Sequence, residues 1–171
     1  MERQSQGGTS KHVHGGAVVV VAILGQTQIL LIKETTKPLP HYWKLISETV
    51  EPGEPILNAV WGGVREEGGF EMKAEYDTGG KVIKITDPNV VQVKELNQRE
   101  WVEGRIPHWR HFWGVVTTDH VISRLSGKRL SGGPDEKIET LSFPLARLSS
   151  IPDLLRQHAE MIRALPRHAP A

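Results

Sequence analysis

The segment from residue 43 to residue 70 constrains the fold of this chain most, because it carries one amphipathic helix together with its start signals. A Glu-Pro-Gly break at 51–53 precedes Pro55, which can open a helix without losing a needed N–H donor. Apolar residues then recur at helical spacing: Ile56, Leu57, Val60, Trp61 and Val64. The pattern predicts a helix from Pro55 to about Gly68 with one buried face.

Two adjacent glycines interrupt this helix near its end. Gly62 and Gly63 each destabilise a helix interior by about 1 kcal/mol relative to Ala. They predict that the helix bends or ends early at this point. A bend would disturb the geometry of the two carboxylates that follow, Glu66 and Glu67.

The acidic residues at the end of the helix have the spacing of a cation site. Positions 63, 66 and 67 of a helix share one side, and the last two are Glu66 and Glu67. Mg²⁺ takes carboxylate and phosphate oxygens in octahedral geometry, and the bound ion acidifies water. We therefore expect this pair to gather a divalent cation for attack on a diphosphate linkage. Taken alone, the same pair is also typical of a solvated helix end beside Arg65.

The whole segment resembles the Nudix hydrolase signature. When the signature is aligned with this segment without gaps, it matches Glu54, Val64, Glu66, Glu67, Gly69 and Phe70. Trp43 and Leu45 match the residues that usually precede it, and Ala59 matches its usual small helix residue. Three signature positions differ. The opening Gly is Glu48, the Arg is Gly62, and the first helical Glu is Gly63. This segment, which we call the box, therefore keeps the outline of the signature but lacks its Arg and one of its helical Glu residues.

The resemblance implies Glu54, Glu66 and Glu67 as metal ligands. The implied cofactor is Mg²⁺, with Mn²⁺ as a substitute. In the family, the Glu at the position of Glu54 commonly pairs with the box Arg. Since that Arg is absent here, Glu54 is either solvated, paired with Arg65 or Lys44, or recruited to the metal.

The implied catalytic residues are Glu66, Glu67 and Glu136. The last belongs to a segment that resembles the later acidic loop of the family, where Asp135 and Glu139 also lie. The alternative interpretation of this segment is ordinary turn and edge charge. Glu48, just ahead of the box, is a second candidate to replace the lost carboxylate.

Three further residues are implied in substrate binding. Lys33 follows a predicted strand, where Nudix proteins often carry a basic residue that faces phosphate, and Lys44 lies beside Trp43. An exposed lysine at a strand end is the alternative. The implied partner is a small-molecule nucleotide or nucleoside diphosphate derivative.

A second feature is the aromatic and basic stretch at 108–113, His-Trp-Arg-His-Phe-Trp. Such side chains can stack on a base and contact a phosphate. Alternation of Trp109, His111 and Trp113 equally fits one buried face of a strand, and we favour core packing. Trp101 has the same two interpretations.

The order of elements predicts an α+β chain. Residues 18–24 and 28–33 should form a hairpin, Trp43-Lys44-Leu45 a short strand, and Val82–Ile85, Val90–Val93, Phe112–Thr118 and Ile138–Phe143 further strands. Ser150 and Asp153 predict the cap of a terminal amphipathic helix reaching Leu165. This order resembles a Nudix-like α/β/α sandwich with a mixed sheet. We expect one domain over 16–165, an N-terminal arm at 1–15 and a C-terminal tail at 166–171.

Composition excludes several classes of protein. The chain has 171 residues, enough for one core, with 21 basic against 20 acidic side chains. This balance argues against nucleic acid or an anionic membrane as the main partner. With no cysteine, there is no disulfide or zinc-thiolate site, and a cytoplasmic location is expected. The longest apolar run, at 17–24, is far below the roughly 20 residues that span a bilayer.

Three functions remain open from the sequence. The first is a Mg²⁺-dependent Nudix-type hydrolase that cleaves a diphosphate linkage in a nucleoside diphosphate derivative. The second is a catalytically silent module that binds a nucleotide or a protein, which the changes at Glu48, Gly62 and Gly63 favour. The third is nucleic-acid binding through residues 108–113, which the balanced charge disfavours. The sequence leaves the substrate and the oligomeric state open.

Overall fold

The computed structural model of the protein describes residues 16–36, 39–124, 129–131 and 137–151, and the single positions Leu154, His158 and Ile162. The strands are β1 (Ala17–Leu24), β2 (Gln28–Glu34), β3 (Ile46–Thr49), β4 (Ala74–Tyr76), β5 (Val82–Ile85), β6 (Val90–Glu103), β7 (Ile106–Thr117), β8 (Arg129–Ser131) and β9 (Ile138–Pro144). Helix α1 spans Ile56–Glu66, and two 3₁₀ helices span Asp119–Arg124 and Leu145–Ser150. The predicted arm at 1–15 and tail at 166–171 lie outside the described residues.

Seven of the described strands form a mixed sheet in the order β6-β7-β1-β2-β9-β8, with β3 also paired to β1. Strands β1 and β7 run parallel, whereas the other pairs in this sheet are antiparallel. The apolar face of α1 packs on one side of the sheet. A second cluster, which includes Leu148 and Ile162, covers the other side. This arrangement confirms the predicted α+β class and the Nudix-like sandwich.

The apolar run of β1 is buried on both faces of the sheet. Val18 and Val20 face the α1 side, while Val19 and Val21 face the opposite side. This explains why the run is continuous rather than alternating. The predicted hairpin with β2 is confirmed, and Gly25 in its turn has φ +63°. A Cβ at Gly25 would collide with the Asp119 carboxylate, so the turn requires glycine.

The predicted strand at Trp43-Lys44-Leu45 is wrong, because the regular strand β3 begins one residue later. Lys44 makes an isolated bridge to Ile32 of β2, whereas Ile46 pairs with Val20 of β1. The chain therefore crosses from one neighbour to the other within these residues. Because the crossing segment is so short, its residues form isolated β-bridges and no continuous strand pairing.

Helix α1 confirms the predicted amphipathic helix, and it does not end at its two glycines. It continues to Glu66, with Ala59, Val60, Gly63 and Val64 buried. Packing against the sheet therefore outweighs the low helix propensity of glycine. The helix was predicted to begin at Pro55, but Pro55 is the extended N-cap residue and the helix begins at Ile56.

Several strands are longer than their sequence pattern indicates. β6 and β7 form a long hairpin closed by Gly104 and Arg105, which both have positive φ. Its outer half carries exposed residues, so apolar periodicity detects only the buried part. The short strands β4 and β8 were not predicted, because three-residue strands carry too little pattern.

The terminal helix does not begin at the predicted Ser150 cap. Ser150 ends a 3₁₀ helix, Ile151 is extended, and Leu154 makes a bridge to Trp43. His158 and Ile162 are helical, and the rest of this segment lies outside the described residues. No helix in the described part of the chain is long and apolar enough to cross a membrane.

Candidate functional site

The candidate site lies where the end of α1 meets β3 and β9. The Glu67 N–H donates to the Gly63 carbonyl oxygen at 2.9 Å, and Gly69 adopts φ +74° as the chain leaves the helix. The Thr140 hydroxyl donates to the Glu67 carbonyl oxygen. These contacts fix the backbone of Glu67 against the sheet.

The side chain of Glu67 is buried and held by the neighbouring strand. It is 9% exposed, and its Oε1 accepts a hydrogen bond of 3.1 Å from the Ser47 N–H. Burial raises the pKa of Glu67 from 4.5 to about 8. The hydrogen bond from Ser47 lowers this pKa, whereas the charge of Glu48 raises it. A carboxyl group in this environment is mainly protonated at neutral pH unless a cation binds beside it.

Two further charged side chains act on the Glu67 carboxyl group. Glu34 raises its pKa and Lys44 lowers it. They form an ion pair with each other, with Lys44 Nζ 2.6 Å from a Glu34 carboxylate oxygen. Glu34 was not identified as a site residue from the sequence. Its place at the end of β2, on the same face as Leu30 and Ile32, could have indicated it.

Glu66 points in a different direction from Glu67. Its side chain is 56% exposed, and it accepts a hydrogen bond of 3.1 Å from Arg65. The Arg65 guanidinium lies 5.0 Å from the centroid of the Trp61 ring. The structure therefore places the two predicted carboxylates of the helix end in different environments, one solvated and one buried.

Glu54 lies at the other end of α1, where it organises the loop. Its carboxylate accepts hydrogen bonds from the Glu51 N–H at 2.9 Å and from Asn58 Nδ2 at 2.6 Å. Asn58 Oδ1 in turn accepts the Val82 N–H at 3.1 Å. These contacts connect the loop, the helix and β5. The predicted role of Glu54 as a metal ligand remains a prediction.

The three residues predicted to bind substrate divide between the two faces of the sheet. Lys44 is paired with Glu34 near Glu67. Lys33 lies over the ring of Trp43, 4.7 Å from the centroid, on the face of the second cluster. The structure therefore brings only Lys44 of this set close to Glu67.

The acidic segment predicted to complete the site is described only in part. Glu136 and Asp135 lie outside the described residues. Glu139 lies in β9 and pairs in register with Lys33 of β2. The proposed catalytic role of Glu136 therefore stays a prediction.

The aromatic stretch at 108–113 belongs to β7. His111 and Phe112 are buried, and His111 Nδ1 lies 3.0 Å from a Glu95 carboxylate oxygen. Phe112 packs in the second cluster and Trp113 against the α1 cluster. The core-packing interpretation is therefore confirmed for His111 and Trp113, whereas Trp109 is half-buried and belongs to neither cluster. The side chain of Trp101 lies outside what the structure describes.

The donor set at the end of α1 suits a hard divalent cation. Glu67 and Glu48 supply carboxylates, and their mutual repulsion would be relieved by positive charge. Within the described ranges, no group of three or more His, Cys, Asp or Glu side chains is arranged to hold a metal ion. Mg²⁺ commonly uses one or two carboxylates and takes its other ligands from water and substrate phosphates. Two carboxylates are therefore compatible with such a site.

The fold is similar to that of several solved Nudix structures. The NUDIX domain of Shewanella oneidensis NrtR, complexed with ADP ribose, superposes with a TM-score of 0.58 at 13% identity, covering 86% of this chain and 82% of that one. An ADP compounds hydrolase gives 0.52 at 18% identity, covering 87% and 71%. A NUDIX family hydrolase from Clostridium perfringens gives 0.52 at 14%, covering 88% and 93%.

Comparison of the sequence gives no further assignment. No family model matches the chain. No curated protein matches it either. The similarity therefore concerns three-dimensional structure, over most of the chain and over most of each of these relatives. On this structural evidence, the chain has the Nudix fold.

Proposed function

We propose that the protein is a divalent-metal-dependent hydrolase that cleaves a diphosphate linkage in a nucleoside diphosphate derivative. The observation that carries the proposal is the buried carboxylate of Glu67, held by the Ser47 N–H beside a second carboxylate, Glu48. It lies at the end of α1, where the box spacing predicts the cation. Strongly shifted carboxyl groups cluster at functional sites.

The environment of Glu67 suits reversible capture of a cation. Without metal, burial keeps this carboxyl group protonated around neutral pH, since its pKa is about 8. Binding a cation releases that proton. When bound, Mg²⁺ or Mn²⁺ would neutralise charge on phosphate oxygens and acidify an attacking water. Lys44, paired with Glu34, would hold positive charge near the departing phosphate.

The remaining roles follow from position. Glu66 is exposed next to Glu67, so its carboxylate is accessible to a substrate-bound metal ion after leaving Arg65. Glu136 is proposed to provide the third catalytic carboxylate, and Glu54 to hold the loop or add a metal ligand. Lys33 and Trp43 are proposed to contact a more distant part of the substrate.

The structural relatives support a nucleotide as substrate class. One was crystallised with ADP ribose, and another is an ADP compounds hydrolase. ADP ribose and ADP compounds share the adenosine diphosphate group. We therefore propose ADP-ribose and related ADP compounds as the first substrates to test.

The test is product release from a panel containing ADP-ribose, nucleotide sugars, dinucleoside polyphosphates and nucleoside triphosphates, with Mg²⁺ or Mn²⁺. We expect turnover by the wild type and by Glu71→Gln, an exposed control beside the box. The double variant Glu66→Gln/Glu67→Gln should be inactive. Equal release by this double variant and the wild type would refute hydrolysis at this site.

One observation favours a second function, nucleotide binding without hydrolysis. Glu66 faces solvent and pairs with Arg65, so only Glu67 of the two helical carboxylates faces Glu48 and Glu34. Titration calorimetry separates the two functions. Binding of ADP-ribose with no product over hours would support a silent module, whereas metal-dependent product release would exclude it.

A further inference from the structure

Two positions of the box differ from the signature in a reciprocal way. The signature has Gly where this chain has Glu48, and Glu where this chain has Gly63. One carboxylate has been gained on the strand and one lost from the helix. Fifteen residues of sequence separate the two positions (63 − 48), so their proximity depends on the fold.

The structure places these two positions against each other. A Cβ at Gly63 would lie 3.4 Å from the Glu48 Cβ and 3.9 Å from its Oε2. The same Cβ would lie 3.2 Å from Ile46 Cγ2. A larger side chain at 63 would therefore meet the Glu48 side chain. Position 63 of the helix and the Glu48 side chain of the strand are therefore within contact distance of each other.

The backbone of β3 couples Glu48 to the buried carboxylate. Ser47 donates its N–H to Glu67, and Glu48 is the next residue, paired in register with Val18 of β1. β1 lies in the interior of the sheet, so the position of Glu48 is fixed by a buried ladder. Glu48 therefore lies where β3 meets the end of α1.

We infer that Glu48 supplies, from the strand, the metal-directed carboxylate that α1 lacks at Gly63. This inference rests on the proposed function, because it concerns the same cation. The cation would be bound between Glu48 and Glu67, at the contact of β3 with the helix end. Compared with the signature, the site would then have the same number of carboxylates, with one of them on the strand instead of the helix.

The test measures Mn²⁺ binding to the substrate-free protein by calorimetry and by the electron paramagnetic resonance of free Mn²⁺. Glu48→Gln keeps the shape of the side chain and should weaken Mn²⁺ affinity by about tenfold or more, since ligand charge sets affinity. Glu48→Gly/Gly63→Glu returns the carboxylate to the helix and should restore affinity to within about threefold of the wild type. Glu71→Gln should bind like the wild type.

A single substitution, Gly63→Glu, completes the set. It places a second side chain against Glu48 and Ile46, so it should bind Mn²⁺ less tightly than the double variant. Thermal melting of every variant without metal separates loss of binding from loss of fold. Glu48→Asp, which retains the charge, serves as a second probe if Glu48→Gln unfolds.

The outcomes distinguish this inference from the proposed function. Wild-type affinity in Glu48→Gln, together with lost affinity in Glu67→Gln, would overturn the role of Glu48 and leave the metal site standing. Failure of the double variant to regain affinity would also overturn it. Absence of both Mn²⁺ binding and turnover in the wild type would refute the proposed function and the inference together.

Discussion

The Thr140 hydroxyl donates a hydrogen bond of 2.5 Å to the carbonyl oxygen of Glu67, and this bond joins β9 to the end of α1 in the buried interior. Removal of the donor leaves a buried carbonyl without this partner. We expect Thr140→Val to lower the free energy of unfolding by about 1–3 kcal/mol. Urea denaturation measures the change. The exposed Thr49→Val is the matched control and should change stability by less than about 0.5 kcal/mol.

Alanine substitutions at Gly62, inside the helix, and at Gly68, just beyond its end, should change the free energy of unfolding in opposite directions. A Cβ at Gly62 meets nothing within 4 Å, so Gly62→Ala should stabilise the protein by about 0.5–1 kcal/mol. A Cβ at Gly68 would lie 2.6 Å from the Val64 carbonyl oxygen, so Gly68→Ala should destabilise by about 1–3 kcal/mol. Thermal and urea unfolding of both variants give the signs. A stabilising Gly68→Ala would contradict the packing described for this turn.

Glu67→Gln should stabilise the metal-free protein while it abolishes turnover. Because the folded-state pKa is about 8 and the ordinary value is 4.5, the native protein keeps a proton that the unfolded chain releases. Stability contributed by this group is therefore present below pH 4.5 and declines as pH rises towards 8. Glutamine does not titrate, so at pH 8 the variant should be more stable by about 2 kcal/mol or more.

Urea unfolding at pH 5 and pH 8, in the presence of a metal chelator, measures the stability difference between Glu67→Gln and the wild type. The wild type should lose stability between the two values relative to Glu67→Gln. Identical pH dependence of the two proteins would show that Glu67 is ionised in the fold without metal. Glu71→Gln, with its exposed side chain, controls for the loss of one negative charge.

His158 should make the fold sensitive to acid. Its Nδ1 accepts the Leu45 N–H at 3.0 Å, so this nitrogen carries no proton. Burial, together with the charges of Arg110 and Lys44, lowers the pKa of His158 from 6.5 to about 4. The unfolded chain binds a proton near pH 6.5, so the stability from neutral His158 is present above that pH and is lost as pH falls to 4.

Replacement by glutamine tests this behaviour. His158→Gln should flatten the decline of unfolding free energy between pH 6.5 and pH 4 that the wild type shows. The exposed His120→Gln should keep the wild-type slope. Proton NMR of the His158 ring gives the titration directly, and a midpoint near 6.5 would contradict the buried, neutral state.

The helix and the buried strands could be predicted because their side chains repeat with a clear period. Ile56 and Val60 mark α1, and Val18 to Leu24 mark a strand buried on both faces. Trp43 to Leu45 misled the prediction, since apolar residues in a crossing segment look like a strand. Ser150 and Asp153 likewise form a capping pattern that the bridge at Leu154 overrides.

The candidate site was predictable only in part, for a related reason. The box spacing located Glu67, but helical periodicity also grouped Glu66 with it, and the structure separates these two carboxylates. That periodicity gives no information on Glu34, which reaches Glu67 from another strand, or on the burial that separates Glu67 from Glu66. The proximity of Glu48 and Gly63 required the register of β3 against the sheet.

The parallel pairing of β1 with β7 has a consequence for how the chain acquires its structure. Ala17 pairs with Arg110 and Leu24 with Thr117, a separation of 93 residues in each case (110 − 17 and 117 − 24). During synthesis, β1 cannot form this parallel pairing until β7 has emerged from the ribosome. We expect slow, non-local folding, with Val18 to Leu24 as the segment at which newly made chains aggregate and chaperones bind.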